Sequence, residues 1–291
     1  MKLRSFAIFI TGAMTLLACR DAGRAPIFSD AEVRQLMGSD TIGSTDATVE
    51  ADTFAIEPEP LPHAVDELFD DFIFAFDQNT ALQMERVRFP FHIDAIGDEA
   101  DSIVNRQQWH HHHVFMHQDF DTVLWGSPRE MLLADDIDVA QAAVEQIYLH
   151  SRNATSLDFQ RDSTSGKWQL VAEQRRSFDE MSSSMMDFLD FYANFATDSI
   201  FQRRHVSNNL RFVSTDEDGE DEPIVGFIDV DQWFEFAPEL PRDVLTNIRY
   251  GQDYSNLRRV IMQMRGISNG LEIQLSFVRD NGTWRLVGYE N

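Results

Sequence analysis

Residues 159–173, "FQRDSTSGKWQLVAE", read as a strand, a turn and a second strand, and residues 275–290, "LSFVRDNGTWRLVGYE", say nearly the same thing again. Gly166, Trp168, Leu170 and Val171 recur as Gly282, Trp284, Leu286 and Val287 at a constant offset of 116 residues. Apolar residues alternate with polar ones on both sides of a glycine-bearing turn, which is the pattern of a hairpin with one buried face. The repetition reaches upstream. In "PHAVDELFDDFIFAFDQNTALQMERVRFPF", residues 62–91, Val65, Leu68, Phe69, Phe72, Ile73 and Phe76 fall three and four apart, predicting a helix with one apolar face. Residues 184–212, "SMMDFLDFYANFATDSIFQRRHVSNNLRF", match it when slid by 119, pairing Phe69 with Phe188, Phe72 with Phe191, Phe76 with Phe195 and Gln83 with Gln202. Between helix and hairpin, "IVNRQQW" ending at Trp109 answers "FIDVDQW" ending at Trp233, with Asn105 and Asp229 placed to cap a short helix.

Each unit therefore runs helices first and strands afterwards, the order of an α+β fold. The remaining strands are expected at "TVLWG", "VEQIYLHS" and "TSLDFQRD" in the first unit. Their partners in the second are "TNIRYG", "VIMQMRGI" and "LEIQLSFVRD". A period near 117 residues is too long for a solenoid, whose units run about 20–50 residues, so the expectation is tandem duplication over 63–178 and 182–291.

The stretches "DFIFAFDQNTALQMERVRFPF" and "LDFQRDSTSGKWQLV", with their second-half counterparts, resemble an uncharacterised family of bacterial lipoproteins built from two nuclear transport factor 2-like domains. The resemblance covers residues 63–291 and rests on aromatic anchors and a hairpin turn. It implies a cystatin-like cone in each half, a long helix curled against a bent antiparallel sheet, and it transfers no catalytic residue. Domains of that superfamily commonly cover their free sheet face by dimerising sheet to sheet. The mixed Tyr, His, Met and Arg content of "VEQIYLHS" and "VIMQMRGI" suits such a face, so the two halves are expected to form a pseudo-dimer within one monomeric chain.

The N-terminus reads as a targeting segment. Lys2 and Arg4 precede an uncharged run from Phe6 to Leu17, too short to span a membrane, which closes on "LLAC" with Cys19, the one cysteine in the chain. The reading is a lipoprotein signal peptide over 1–18, lipidation at Cys19, and anchorage in the cell envelope, with Arg20 tilting sorting toward the outer membrane. With that thiol acylated, no disulfide, thiolate metal site or cysteine nucleophile is expected. Residues 19–62, with nine acids and three arginines after the cysteine and an "EPEPLP" end, form a flexible acidic tether with a span of roughly 35–40 Å.

Charge narrows the partners. There are 24 basic and 49 acidic residues, and removing Lys2 and Arg4 takes the formal charge from −25 to −27, which excludes nucleic acid as an expected partner. Lys2 and Lys167 are the only lysines, a composition that suits a salty exterior.

Chemical signals are sparse. "WHHHHVFMH", residues 109–117, offers His110, His113 and His117 on one face if the segment is helical, and His111, His113 and His117 if it is a strand. The matching "WFEFAPEL" carries no histidine, so a solvated cluster is favoured over a metal site. "STDEDGEDE", residues 214–222, fails the calcium-loop register, since position 12 falls on Val225. Asp135, Asp136 and Asp138 read as an acidic turn. No nucleophile elbow or phosphate-cradling loop occurs, and no cofactor is expected. These residues favour a non-enzymatic module that binds a small molecule, glycan or protein; the alternative is a cone-pocket isomerase or dehydratase working with a lone acid or base.

Overall fold

Aromatic residues at helical spacing bury one stripe of each helical segment and thereby place it on the sheet. In a computed structural model that describes residues 63–97, 100–115, 119–214, 222–267 and 269–291, the first such segment is α1 (Phe69–Gln78), which buries Phe69, Phe72, Ile73 and Phe76. The expected signal segment, Cys19 and the expected tether lie outside the described residues, as do residues 215–221 of the acidic run.

The expected long helix is interrupted. α1 ends at Asn79, whose backbone is extended and whose side chain accepts from Leu82 N–H to start α2 (Thr80–Arg86). In the second half α3 (Ser183–Thr197) gives way to α4 (Ser199–His205) at Asp198, which accepts from Ile200 and Phe201 N–H. Both breaks arise because a short polar side chain satisfies the free amides of a new first turn more effectively than it continues the old helix. The short helix expected after Asn105 is only one tight turn, Arg106–Gln108. Its counterpart is the single turn α5 (Trp233–Phe236).

Among the described residues, twelve strands follow the same twofold pattern. The first half supplies β1 (Val87–Asp94), β2 (Ser102–Val104), β3 (Phe120–Trp125), β4 (Gln141–Tyr148), β5 (Asn153–Arg161) and β6 (Trp168–Ser177). The second supplies β7 (Val206–Ser214), β8 (Ile224–Ile228), β9 (Val244–Arg249), β10 (Arg259–Gly266), β11 (Glu272–Asp280) and β12 (Thr283–Glu290). The repeated hairpins are β5–β6 and β11–β12. In both, one valine is skipped in the pairing: Asp158 faces Ala172 while Phe159 faces Leu170, and Ser276 faces Gly288 while Phe277 faces Leu286. Asn281 and Gly282, both with positive φ, make the second turn a two-residue hairpin loop.

All twelve strands belong to one sheet, in the order β2-β1-β6-β5-β4-β9-β3-β10-β11-β12-β7-β8. The third strand of each half is exchanged. β4 pairs with β9, bringing Glu145 opposite Asn247, and β3 pairs with β10, bringing Asp121 opposite Arg265. The two exchanged strands touch in parallel at Thr122 and Asn247. Packing of sheet face on sheet face was the expected joint; hydrogen-bonded strands make the joint instead, since each β4-type strand needs an antiparallel neighbour and the other half provides it.

The exchange mixes the cores. Leu124, Ile147 and Leu149 sit in the hydrophobic cluster built on α3, whereas Ile248, Tyr250 and Ile261 sit in the cluster built on α1. Phe72, Phe76, Phe188, Phe195, Phe277 and Trp168 are among the largest fully buried side chains, so both helix-to-sheet interiors are filled by aromatic rings. No helix among the described residues is long and apolar enough to cross a membrane.

Candidate functional site

The histidine segment follows neither of the two expected geometries. From Trp109 to His113 the chain is neither helix nor strand. It is held by α2: the Gln83 side-chain amide donates to the His112 carbonyl at 2.7 Å and accepts from the His112 N–H at 2.9 Å. Asp77 accepts from Val114 N–H at 2.5 Å. The His111 ring bridges Thr80 Oγ1 and the Asp77 carbonyl, each at 2.8 Å, and lies 4.3 Å from the ring of His113. Burial lowers the pKa of His112. His110 and His113 are exposed, and His117 lies outside the described residues. Without a helix the three-residue spacing does not place imidazoles on one face, and among the described residues no three His, Cys, Asp or Glu side chains could hold a metal ion.

A different set of side chains converges across the β4–β9 joint. Side chains alternate along β4, so Ala142 and Val144 enter the cluster under α1 while Gln141, Ala143 and Glu145 point the other way. Glu145, 4% exposed, receives the Arg249 Nη1 at 3.0 Å, the Arg176 Nη2 at 3.3 Å and the Asn247 amide at 2.9 Å. Asn247 also accepts from Leu124 N–H, which ties the cluster to β3. The Arg249 guanidinium stands 5.7 Å from the centre of the Tyr254 ring, and the Tyr254 hydroxyl donates to the Leu124 carbonyl.

The two arginines separate two adjoining cavities. One, of about 400 Å³, is lined by Gln141, Asp158, Gln160, Gln174, Arg176 and Arg249. The other, of about 250 Å³, includes Glu145, Arg176, Arg249 and Tyr254. Burial raises the pKa of Asp158, which accepts a 2.6 Å hydrogen bond from Ser156. Among the described residues neither Arg176 Nη1 nor Arg249 Nη2 has a hydrogen-bond partner, and the buried Nε of each is also unsatisfied. The corresponding position at the β3–β10 joint carries no charge: Trp125 Nε1 donates to Gln263 at 3.0 Å. The arginine pair is thus a departure from the repeat.

That joint has its own buried network one turn of pairing away. Arg265 bonds Asp121 through Nε at 3.0 Å and Nη2 at 2.7 Å, and bonds Asp70 of α1 through Nη1 at 2.7 Å. The Tyr250 hydroxyl donates to Asp70 and accepts from Arg265 at 3.0 Å. Asp121 is wholly buried, and burial pushes its carboxyl up to about 6 against the pull of Arg265.

Neither network has a linear motif. Arg176, Glu145 and Arg249 come from three strands of different halves. The one available sign was Glu145 within the otherwise uncharged "AAVEQIY", since a carboxylate in a core strand requires a partner.

Comparison with known proteins places this architecture. A family model described as a domain of unknown function (DUF4348) matches residues 48–291. The crystal structure of an NTF2-like protein from Bacteroides fragilis NCTC 9343 is similar, with 36% sequence identity, a TM-score of 0.70, and coverage of 79% of this chain and 98% of that one. No curated protein matches.

Proposed function

The chain belongs to the DUF4348 family, and from the uncharged run Phe6 to Leu17 that closes on "LLAC" we propose that it is a lipid-anchored cell-envelope protein, acylated at Cys19, that acts as a non-enzymatic binding module. In this reading two tandem NTF2-like domains, 63–178 and 182–291, form an internal pseudo-dimer, held off the membrane surface by residues 19–62. The mirror-like strand order around β9 and β3 supports the duplication.

The observation that carries the binding role is the paired guanidinium set. In a chain of formal charge −25, Arg176 and Arg249 share one buried carboxylate and retain unbonded donors at the wall of a cavity of about 400 Å³. Planar guanidinium groups suit a carboxylate ligand, which accepts two parallel N–H bonds. The helix-to-sheet interiors, filled by rings, leave the outward groove as the better place for a ligand.

Titration of the protein with small mono- and dicarboxylates should give saturable binding that falls at least tenfold in Arg249→Gln and is unchanged in His113→Ala. Binding that ignores Arg249→Gln would sink the groove as the site. Intact mass of the membrane fraction should show a diacylated N-terminal Cys19; an unmodified cysteine there removes the anchor. The enzymatic alternative rests on Asp158, whose raised carboxyl lies in the same groove. Turnover of a bound ligand that disappears in Asp158→Asn would favour it.

A further inference from the structure

The two halves treat the chain beyond their matched tryptophans differently. In the first, residues after Trp109 run across the α1–α2 junction, and Gln83 holds His112 by both its N–H and its carbonyl. In the second, the chain closes into α5, with Ala237 N–H bonded to the Trp233 carbonyl at 2.8 Å. At the α3–α4 junction a cavity of about 410 Å³ is lined by Phe195, Ala196, Gln202, Phe234, Leu240 and Arg242.

Gln202 is the counterpart of Gln83 and is anchored in the same way. Its Nε2 donates to the Phe195 carbonyl at 3.1 Å, as Gln83 Nε2 donates to the Phe76 carbonyl at 3.0 Å. The residue is 8% exposed, yet among the described residues its Oε1 accepts nothing and its Nε2 makes no second bond. A carboxamide offers one donor and one acceptor side by side, the complement of the N–H and carbonyl of a single residue in an extended chain. Phe234, 40% exposed, adds apolar surface at the wall.

We propose that this cavity is a docking site for an extended peptide segment of a partner protein, one residue of which pairs with Gln202 as His112 pairs with Gln83. The first half supplies the pattern of the occupant, because there the same glutamine is saturated by main chain at 2.7 and 2.9 Å. Ala196 stands where Asp77 stands, so the second half gives up the carboxylate that takes Val114 N–H and widens the room at that point. Glu239 and Arg242 both line the cavity, so main chain and apolar side chains, more than net charge, decide recognition. This site is separate from the arginine groove, and neither depends on the other.

The probe is a fluorescently labelled, capped peptide with the sequence of Trp109–Phe115, titrated into the full chain and followed by anisotropy. Saturable binding is expected, weakened at least tenfold in Gln202→Met and in Ser199→Trp, the latter blocking the cavity from an exposed position so that folding is preserved. Absence of saturable binding to the wild type, or equal binding by wild type and Ser199→Trp, overturns the proposal. Loss in Ser199→Trp with full retention in Gln202→Met also overturns it, by showing that the glutamine does not read the backbone.

Discussion

Replacement of Arg265 by methionine is expected to lower the unfolding free energy by about 3–5 kcal/mol at pH 7, because it leaves Asp121 as a buried carboxylate without its cation. Asp121 is 0% exposed and takes two nitrogens of Arg265, while Asp70 takes a third. The loss should depend on pH. Burial holds the folded-state carboxyl at about 6, above its ordinary value near 3.8. Through roughly pH 4–6 the folded chain therefore binds a proton that the unfolded chain does not, and the contribution of Asp121 grows more favourable as pH falls through 6. Asp70, Tyr250 and Arg265 are the charged and titratable groups that meet it, and removing Arg265 pushes its carboxyl further up. Urea unfolding of Arg265→Met should thus show a smaller deficit at pH 5 than at pH 7, and Asp121→Asn should flatten this part of the pH dependence. A deficit below about 1 kcal/mol, or one equal at both pH values, would contradict the account of the network as a strut between halves.

Phe277→Ala and Phe159→Ala should each cost about 3–5 kcal/mol, through lost transfer free energy and the cavity left behind. Phe277 meets the rings of Phe188, Phe191, Tyr192 and Phe195, with centroids 5.3–6.4 Å away. Phe159 meets Phe69, Phe72 and Phe76 at 5.3–5.8 Å. Since each cluster contains residues from the other half, either substitution should shift one cooperative transition and not uncouple a single half. Calorimetry showing two resolved transitions in either variant would mean that the halves unfold independently.

How much of this was legible in the chain depends on the range of the interaction that decides it. The hairpins were legible because a glycine-bearing turn and alternating side chains are local: Gly166 and Gly282 both take positive φ where the turns demand it. The aromatic stripe of α1 and α3 was legible for the same reason. β1 and β7 were missed, since "VRFPFHID" and "VSNNLRFVS" mix proline, arginine and asparagine into strands that follow directly on helices. The exchange of β3 and β9 was invisible, because an identical alternation satisfies either partner. The arginine groove likewise required knowing that β9 lies beside β4. The histidines drew attention by number alone, whereas the single Gln83 that holds their backbone carried the structural information.

The exchanged strands also set an order of assembly. The edge of β4 is completed by β9, and Glu145 waits for Asn247 and Arg249, residues made about a hundred positions later. A newly synthesised first half therefore cannot finish folding by itself: its fourth strand stays open, and its cluster lacks Ile248, Tyr250 and Ile261 until the second half arrives. Contacts of such long sequence separation close slowly and leave strand edges available for wrong pairing in the meantime. Two chains caught at that stage could trade their third strands with one another, giving an entangled dimer with the same local pairings as the monomer.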